Sequence, residues 1–222
     1  MQYRYEIKIP ISIYNENILD NFLLTLKKLK VHNADREINN IYFDTLNFDS
    51  AQNNLDGVPN RTKYRVRWYK KDNVLSGCNT ELKIKKGRLN RKLIIPTKIK
   101  STEIVNQNLF DLIKEDFIKL KINDRDLLTQ FFSPMVQNCY NRNYYIYDDD
   151  IRLTYDSSIK HKSLKTDSIS NWQEDNLNVL EIKFDTQKLS KAQQLISRLP
   201  FVTKRHSKYL RGLSICKMAV YS

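Results

Sequence analysis

The stretch RTKYRVRWY, residues 61–69, decides how this chain is read. Arg61, Lys63, Arg65 and Arg67 alternate with Thr62, Tyr64, Val66 and Trp68. Strand side chains point to opposite faces with period two, so the four cations share one face and the bulky residues the other. Same-face neighbours lie ~7 Å apart, where like charges repel by about 2–3 kcal/mol at an effective dielectric near 20, and far less in water. Such a row is either fully solvated or built to receive anions. One strand does not choose between these, because a charged face is usually the wet side of a sheet.

Repetition along the chain does choose. Arg4, Glu6 and Lys8 share a face of residues 2–12, opposite Tyr5, Ile7 and Ile9. Glu81, Lys83 and Lys85 do so in NTELKIKK, residues 79–86, with Leu82 and Ile84 behind them. Tyr140, Arg142 and Tyr144 form a further set within 136–147; Arg152, Thr154 and Asp156 oppose Ile151, Leu153 and Tyr155. Glu181 and Lys183 oppose Leu180, Ile182 and Phe184. Further strands are expected at 38–44 and 88–98, and at the start of the tail from 205. Residues 46–60 and 160–177 read as loops. Helical spacing appears at 16–30 (Ile18, Leu19, Phe22, Leu23, Leu26, Leu29), 101–132, 187–198 and 209–220. This order gives an α+β protein with mainly antiparallel strands, arranged as a sandwich or a barrel, in one domain over residues 1–222. Helices covering the apolar faces from outside leave the charged faces to converge on an interior.

Composition narrows the function. Lys and Arg number 38 against 25 acids, a net charge of +13, which predicts a polyanionic partner. With four glycines and no GxxxxGK[ST], GxGxxG or GxSxG, the chain offers no P-loop, dinucleotide fold or nucleophile elbow. Phosphates must then be held by side chains. Isolated carboxylates among the cations, Glu6, Glu81 and Glu181, suit a divalent metal beside a chain of phosphates. Cys78, Cys139 and Cys216 are scattered and lack zinc-site spacing, which fits reduced thiols and a cytoplasmic location. No apolar run approaches the ~20 residues of a membrane span, which leaves room only for a separate membrane partner. His206 reads as a packing residue, His32 and His161 as loop residues, and the YDDD run at 147–150 as a solvated strand end.

These same segments carry a family resemblance. RYEIK, INNIYFDT, RTKYRVRWY, ELKIKKG, the pair Tyr140 and Arg142, IRLTYD, VLEIKF and SKYLRG occur in this order from Tyr3 to Gly212. The series resembles the polyphosphate polymerase (VTC) domain of the triphosphate tunnel metalloenzyme superfamily. The resemblance implies a closed eight-stranded antiparallel β-barrel, or tunnel, with helices packed outside. It implies transfer of the γ-phosphate of ATP onto polyphosphate with Mn²⁺ or Mg²⁺. By motif it assigns Lys8, Arg65, Arg67, Lys83, Arg142, Arg152, Lys183 and Lys208 to the reacting phosphates. Tyr140, Ser207, Arg4 and Lys85 bind substrate, and Glu181 with Glu6 holds the metal. Arg88, Arg91 and Lys92 lie where the family keeps further basic residues. The superfamily's hydrolases carry ExExK on the first strand, whereas Arg4 takes the first acidic position here. Fewer carboxylates favour a long anion and one metal over two-metal hydrolysis. Triphosphate hydrolysis and non-catalytic polyphosphate sensing remain the alternatives; nucleic acid is not expected as the main ligand.

Overall fold

The computed structural model describes residues 4–71, 74–96, 132–165 and 171–218. The helices expected over 101–131 lie outside these. The strands are β1 (Tyr5–Ser12), β2 (Leu29–Thr45), β3 (Asn60–Lys71), β4 (Val74–Lys86), β5 (Leu89–Pro96), β6 (Phe132–Tyr147), β7 (Ile151–Ser163), β8 (Gln173–Glu174) and β9 (Leu177–Phe184). Helices α1 (Glu16–Thr25), α2 (Asp49–Leu55), α3 (Leu189–Ser197) and α4 (Lys208–Ile215) accompany them. All pairings are antiparallel, in the order β1-β9-β7-β6-β2-β3-β4-β5, with the short β8 on β7.

The expected closed eight-stranded barrel is therefore corrected to an open nine-stranded sheet. Its edge strands β1 and β5 form no ladder. They meet at one bridge, where Arg4 N–H donates to the Asn90 carbonyl (3.3 Å) and Asn90 N–H to the Arg4 carbonyl (3.2 Å). Further along the seam the irregular segment before α4 takes over: Lys204 N–H donates to the Lys8 carbonyl at 3.2 Å. The sheet curls until its edges touch, which turns one face inward without continuous closure.

Period-two alternation then sorts the side chains. On the outer face of β1, β7 and β9, Ile9, Ile11, Leu153, Leu180 and Ile182 pack beneath Leu19 and Phe22 of α1 and Ala192 and Leu195 of α3. A second outer cluster joins Ile41, Phe43, Tyr64, Val66, Trp68 and Leu82 of β2, β3 and β4. These apolar faces supply much of the hydrophobic driving force, which frees part of the inward face to carry charge.

Helix α4 departs from the expected outside packing. Its Tyr209 stacks on Tyr42, with ring centroids 5.4 Å apart, and donates its hydroxyl to Asp44 at 2.7 Å. Tyr42 belongs to the inward face, so α4 sits inside the curl. A Cβ on Gly212 would stand 2.7 Å from both His161 Nδ1 and Val136 Cγ1. Gly212→Ala is therefore expected to destabilise by about 1–3 kcal/mol through overpacking, despite alanine's better helix propensity. Denaturant unfolding checks this, and an unchanged midpoint would remove the close seating of α4.

Other differences have local causes. Residues 46–60 contain α2, whose start is held by the buried Asp44: its carboxylate accepts from Ser50 N–H (2.8 Å) and Ala51 N–H (3.0 Å). Strand β7 runs on to Ser163 instead of stopping at 156, because a register shift opposite Cys139–Asn141, with Ser158 at φ 52°, bends the ladder without ending it. His161 thereby lies on a strand, fully buried, and so does His32, on the exposed first half of β2. The tail from 205 enters α4 without first forming a strand.

Candidate functional site

The inward face encloses a cavity of about 1050 Å³. The residues that the resemblance assigns to phosphate, substrate and metal line it: Arg4, Glu6 and Lys8 from β1, Arg65 and Arg67 from β3, and Lys83 and Lys85 from β4. Tyr140 and Arg142 come from β6, Arg152 from β7, Glu181 and Lys183 from β9, and Ser207 and Lys208 from the entry to α4. Among the described residues, sixteen lysines and arginines line this space against two carboxylates, Glu6 and Glu181.

Register explains the density of charge. On β3 and β4, Lys63 stands opposite Lys83 and Arg61 opposite Lys85; Lys83 in turn faces Lys92 on β5. Like charges directly opposite each other destabilise a sheet. Three such pairs in one patch are tolerable only where an anion or solvent compensates.

Several cations are held rigidly from below. Arg65 is clamped by the buried Glu81, Nε to Oε2 at 2.6 Å and Nη2 to Oε2 at 2.5 Å, and Lys92 takes Oε1 at 2.8 Å. Burial alone would raise the Glu81 carboxyl, but Arg65, Arg67 and Lys92 hold it far below the usual range. Glu81 is thus a support for cations and not a free metal ligand. Arg142 makes a fork on Asp156, at 2.5 and 2.7 Å, and Lys208 Nζ reaches the same carboxylate at 2.5 Å. Asp156 has no exposure; against the upward push of burial, Arg142 and Lys208 keep it strongly depressed. Arg67 donates through Nε to Asn40 (2.7 Å) and through Nη2 to the Tyr140 hydroxyl (3.1 Å). The Tyr140 ring also lies under Lys208 and Arg142, 4.6 and 5.3 Å from its centroid.

Glu6 and Glu181 sit on neighbouring strands, with Lys8 Nζ between them at 3.5 and 3.9 Å. Lys83 binds Glu6 at 2.6 Å, and Lys183 binds Glu181 at 2.7 Å. Burial would raise Glu181, yet Lys183, Glu6 and the lysines 8 and 83 together hold it well below the usual range, so it is a carboxylate. Among the described residues no group of three or more His, Cys, Asp or Glu forms a closed metal cage. Two adjacent carboxylates open to a cationic cavity fit a hard divalent ion of the Mg²⁺ or Mn²⁺ kind, which takes one or two carboxylates and completes its shell with phosphate and water oxygens.

Sequence reading left some lining residues without a role. Arg61 and Lys63 were visible on the cationic face, and Lys92 and Arg91 lie one strand further on. Lys204, Arg205 and His206 carry no periodic signal, because they belong to the irregular segment in the seam. Burial and the neighbouring Lys208 and Lys8 lower His206 to about 3, so its imidazole is neutral. Arg88 is exposed and does not line the cavity.

The lining also sets a pH response. Burial lowers Lys92 to about 8 despite Glu81, and Arg142 and Arg67 overcome burial to bring the Tyr140 hydroxyl to about 8. Raising pH through 8 removes a cation and adds an anion, so metal-free tripolyphosphate affinity is expected to fall by up to about tenfold per titrating group and pH unit. Stability has the opposite sign. Between about 8 and 10 the unfolded chain, with ordinary lysine and tyrosine pKa values, binds more protons than the fold, so the ligand-free protein gains stability as pH rises. Calorimetric titration and thermal melts across pH 7–10 test both; affinity that rises with pH would contradict the assignment.

Comparison with known proteins places this architecture. The VTC domain family model matches residues 3–217. A structure from Pyrococcus horikoshii OT3 aligns over 96% of this chain and 99% of its own at 12% identity, with a TM-score of 0.54. The Hippeastrum protein HpAC1, described as a candidate adenylyl cyclase with a dominant triphosphatase activity, aligns over 94% and 95% at 16% identity, TM-score 0.52. A candidate adenylate cyclase of Vibrio parahaemolyticus aligns over 96% and 99% at 10% identity, TM-score 0.52. At these identities the likeness is one of fold. No curated protein sequence matches the chain. With the family model spanning nearly its whole length, the chain belongs to the VTC domain family.

Proposed function

We propose that this protein transfers the γ-phosphoryl group of ATP to a growing polyphosphate chain inside the cavity, with Mn²⁺ or Mg²⁺. The observation that carries the reading is the lining itself: among the described residues, sixteen cations against two carboxylates around one cavity. From Arg61 to Arg67 the β3 row alone extends about 20 Å at ~3.3 Å per residue. That is more charge, over a longer path, than a single triphosphate requires. VTC family membership supports the same substrate class.

In this reading Arg65 and Arg142 bind phosphate oxygens from positions already fixed by Glu81 and Asp156, so little reorganisation accompanies the reaction. Lys8, Lys83, Arg67, Arg152, Lys183 and Lys208 neutralise the remaining charge, while Tyr140, Ser207, Arg4 and Lys85 bind neighbouring phosphates. Glu181 and Glu6 would hold the metal, which when bound would supply charge stabilisation to the reacting phosphates. A terminal oxygen of the acceptor chain attacks the γ-phosphorus, the bond to the β-bridging oxygen breaks, and ADP departs with the electron pair. The attacking oxygen is already ionised, so this step requires no base.

The cations line a cavity, and Tyr64 and Trp68 of β3 face the outer core, which argues against an open nucleic-acid platform. Among the described residues no helix is long and apolar enough to cross a membrane. We infer one domain over residues 1–222, with its three free cysteines suited to the cytoplasm.

Two experiments test the reading. Tripolyphosphate is expected to raise the melting temperature well beyond sodium chloride at equal ionic strength, with about 2.7 kcal/mol gained at one hundred times Kd. Incubation with ATP and Mn²⁺, followed by gel analysis and a free-phosphate assay, is expected to yield long polyphosphate. Orthophosphate alone would make the protein a triphosphate hydrolase, and absence of turnover with retained binding would make it a sensor.

A further inference from the structure

Lys63 contacts a hydroxyl where the clamped cations of the cavity contact carboxylates. Its Nζ lies 2.9 Å from the Ser207 hydroxyl oxygen. Among the described residues no carboxylate forms an ion pair with it, whereas Arg65, Lys83, Lys92, Arg142, Lys183 and Lys208 each have one. Lys83 faces it across the ladder, and Lys8 and Arg61 are the other cations acting on it. Burial, then the charges of Lys8, Lys83 and Arg61, lower its ammonium well below the ordinary lysine range against the opposing pull of Glu6. Its ground state is thereby shifted towards an uncharged amine, able to accept a proton.

Ser207 is equally distinctive. It caps the N-terminus of α4, its Oγ facing Leu210 N–H at 3.4 Å, where the helix dipole favours negative charge. A serine hydroxyl within hydrogen-bond reach of an amine whose charged form is disfavoured is the arrangement of an activated nucleophile. The three cysteines, Cys78, Cys139 and Cys216, do not line the cavity.

We infer that Ser207 itself accepts a phosphoryl group from a nucleoside triphosphate, with Lys63 as its base, so that a chain can be started on the protein. This rests on the reading of ATP as donor. Ser207 Oγ forms a bond to the γ-phosphorus, the bond from that phosphorus to the β-bridging oxygen breaks, and ADP leaves with the electron pair. The hydroxyl proton passes to Lys63 Nζ. The phosphoserine then lies beside Lys63, now an ammonium, and next to Lys208. Lys8, which donates to the His206 carbonyl at 3.3 Å, is the third cation nearby. Its terminal oxygen is the same kind of acceptor as the end of a polyphosphate chain.

The test uses the full chain. Protein freed of bound phosphate is incubated with ATP and Mn²⁺, and intact and peptide masses are recorded alongside a polyphosphate gel. The expected result is a gain of one or more phosphoryl groups confined to the Ser207 peptide. Ser207→Ala and Lys63→Met are each expected to lose that gain at least tenfold while keeping the parent's far-UV circular dichroism and a cooperative thermal transition, which shows that they fold. Polyphosphate formed by wild-type protein with an unmodified Ser207 peptide overturns this inference and leaves the polymerase reading standing. Phosphorylated Ser207 without free or attached chains supports the inference and overturns polymerisation. Neither product overturns both. Full phosphorylation in Lys63→Met removes Lys63 as the base.

Discussion

Glu181→Gln is expected to lower metal-dependent turnover of ATP by about 10²–10³-fold, since a metal's charge stabilisation in the transition state is worth several kcal/mol. Tripolyphosphate affinity should be kept or improved, because the change removes a negative charge from an anion site. The competing role for Glu181 is structural: it binds Lys183 at 2.7 Å and approaches Arg142 at 3.8 Å. A purely structural role predicts lost stability with normal turnover in the folded fraction. Steady-state kinetics across Mn²⁺ concentrations, beside tripolyphosphate titration, separates the two. Arg65→Ala and Arg67→Ala should instead weaken binding and rate together.

Asp156→Asn is expected to cause the largest loss of stability, about 3–5 kcal/mol, because it strips a buried carboxylate from Arg142 and Lys208 and leaves both cations uncompensated. For a chain of this size that is roughly 10 °C or more in melting temperature. Tripolyphosphate should recover part of the loss by supplying the missing negative charge, giving a larger ligand-induced shift than in the parent. Thermal melts with and without ligand measure this. A variant as stable as the parent would mean that the Arg142–Asp156–Lys208 group does not support the cavity.

Much of this site was legible because strand parity is a hard geometric rule. Once RTKYRVRWY is a strand, Arg65 and Arg67 must share a face, and equivalent sets on β1, β4, β6, β7 and β9 converge wherever the apolar faces are covered. The outward positions of Leu153, Leu180 and Ile182 follow from the same rule. What escaped the sequence depends on register, bulges and irregular backbone. Parity places Glu81 among the cations but not opposite Arg65, so its role as a clamp and not a ligand emerges only from the ladder. Asp156 was visible on the charged face of β7, but its fork on Arg142 needs the β6–β7 pairing. His161 seemed to lie in a loop because polar residues follow Asp156 and nothing local reveals the bulge at Ser158. Lys204, Arg205 and His206 enter the cavity from a segment with no period to read. The seam between β1 and β5 escaped for another reason: alternation says which side chains point inward, not whether the last two strands complete their hydrogen bonds.

The central claim is that the inward cationic face is one phosphate site with its metal on Glu181. The most direct measurement is a crystal structure with tripolyphosphate and Mn²⁺, using anomalous scattering to place the metal. The account predicts phosphate density between Arg65, Arg67, Lys83 and Arg142, and a manganese peak bridging a phosphate oxygen and the Glu181 carboxylate. Tripolyphosphate bound only on the outer surface, or manganese held away from Glu181 and Glu6, would contradict it.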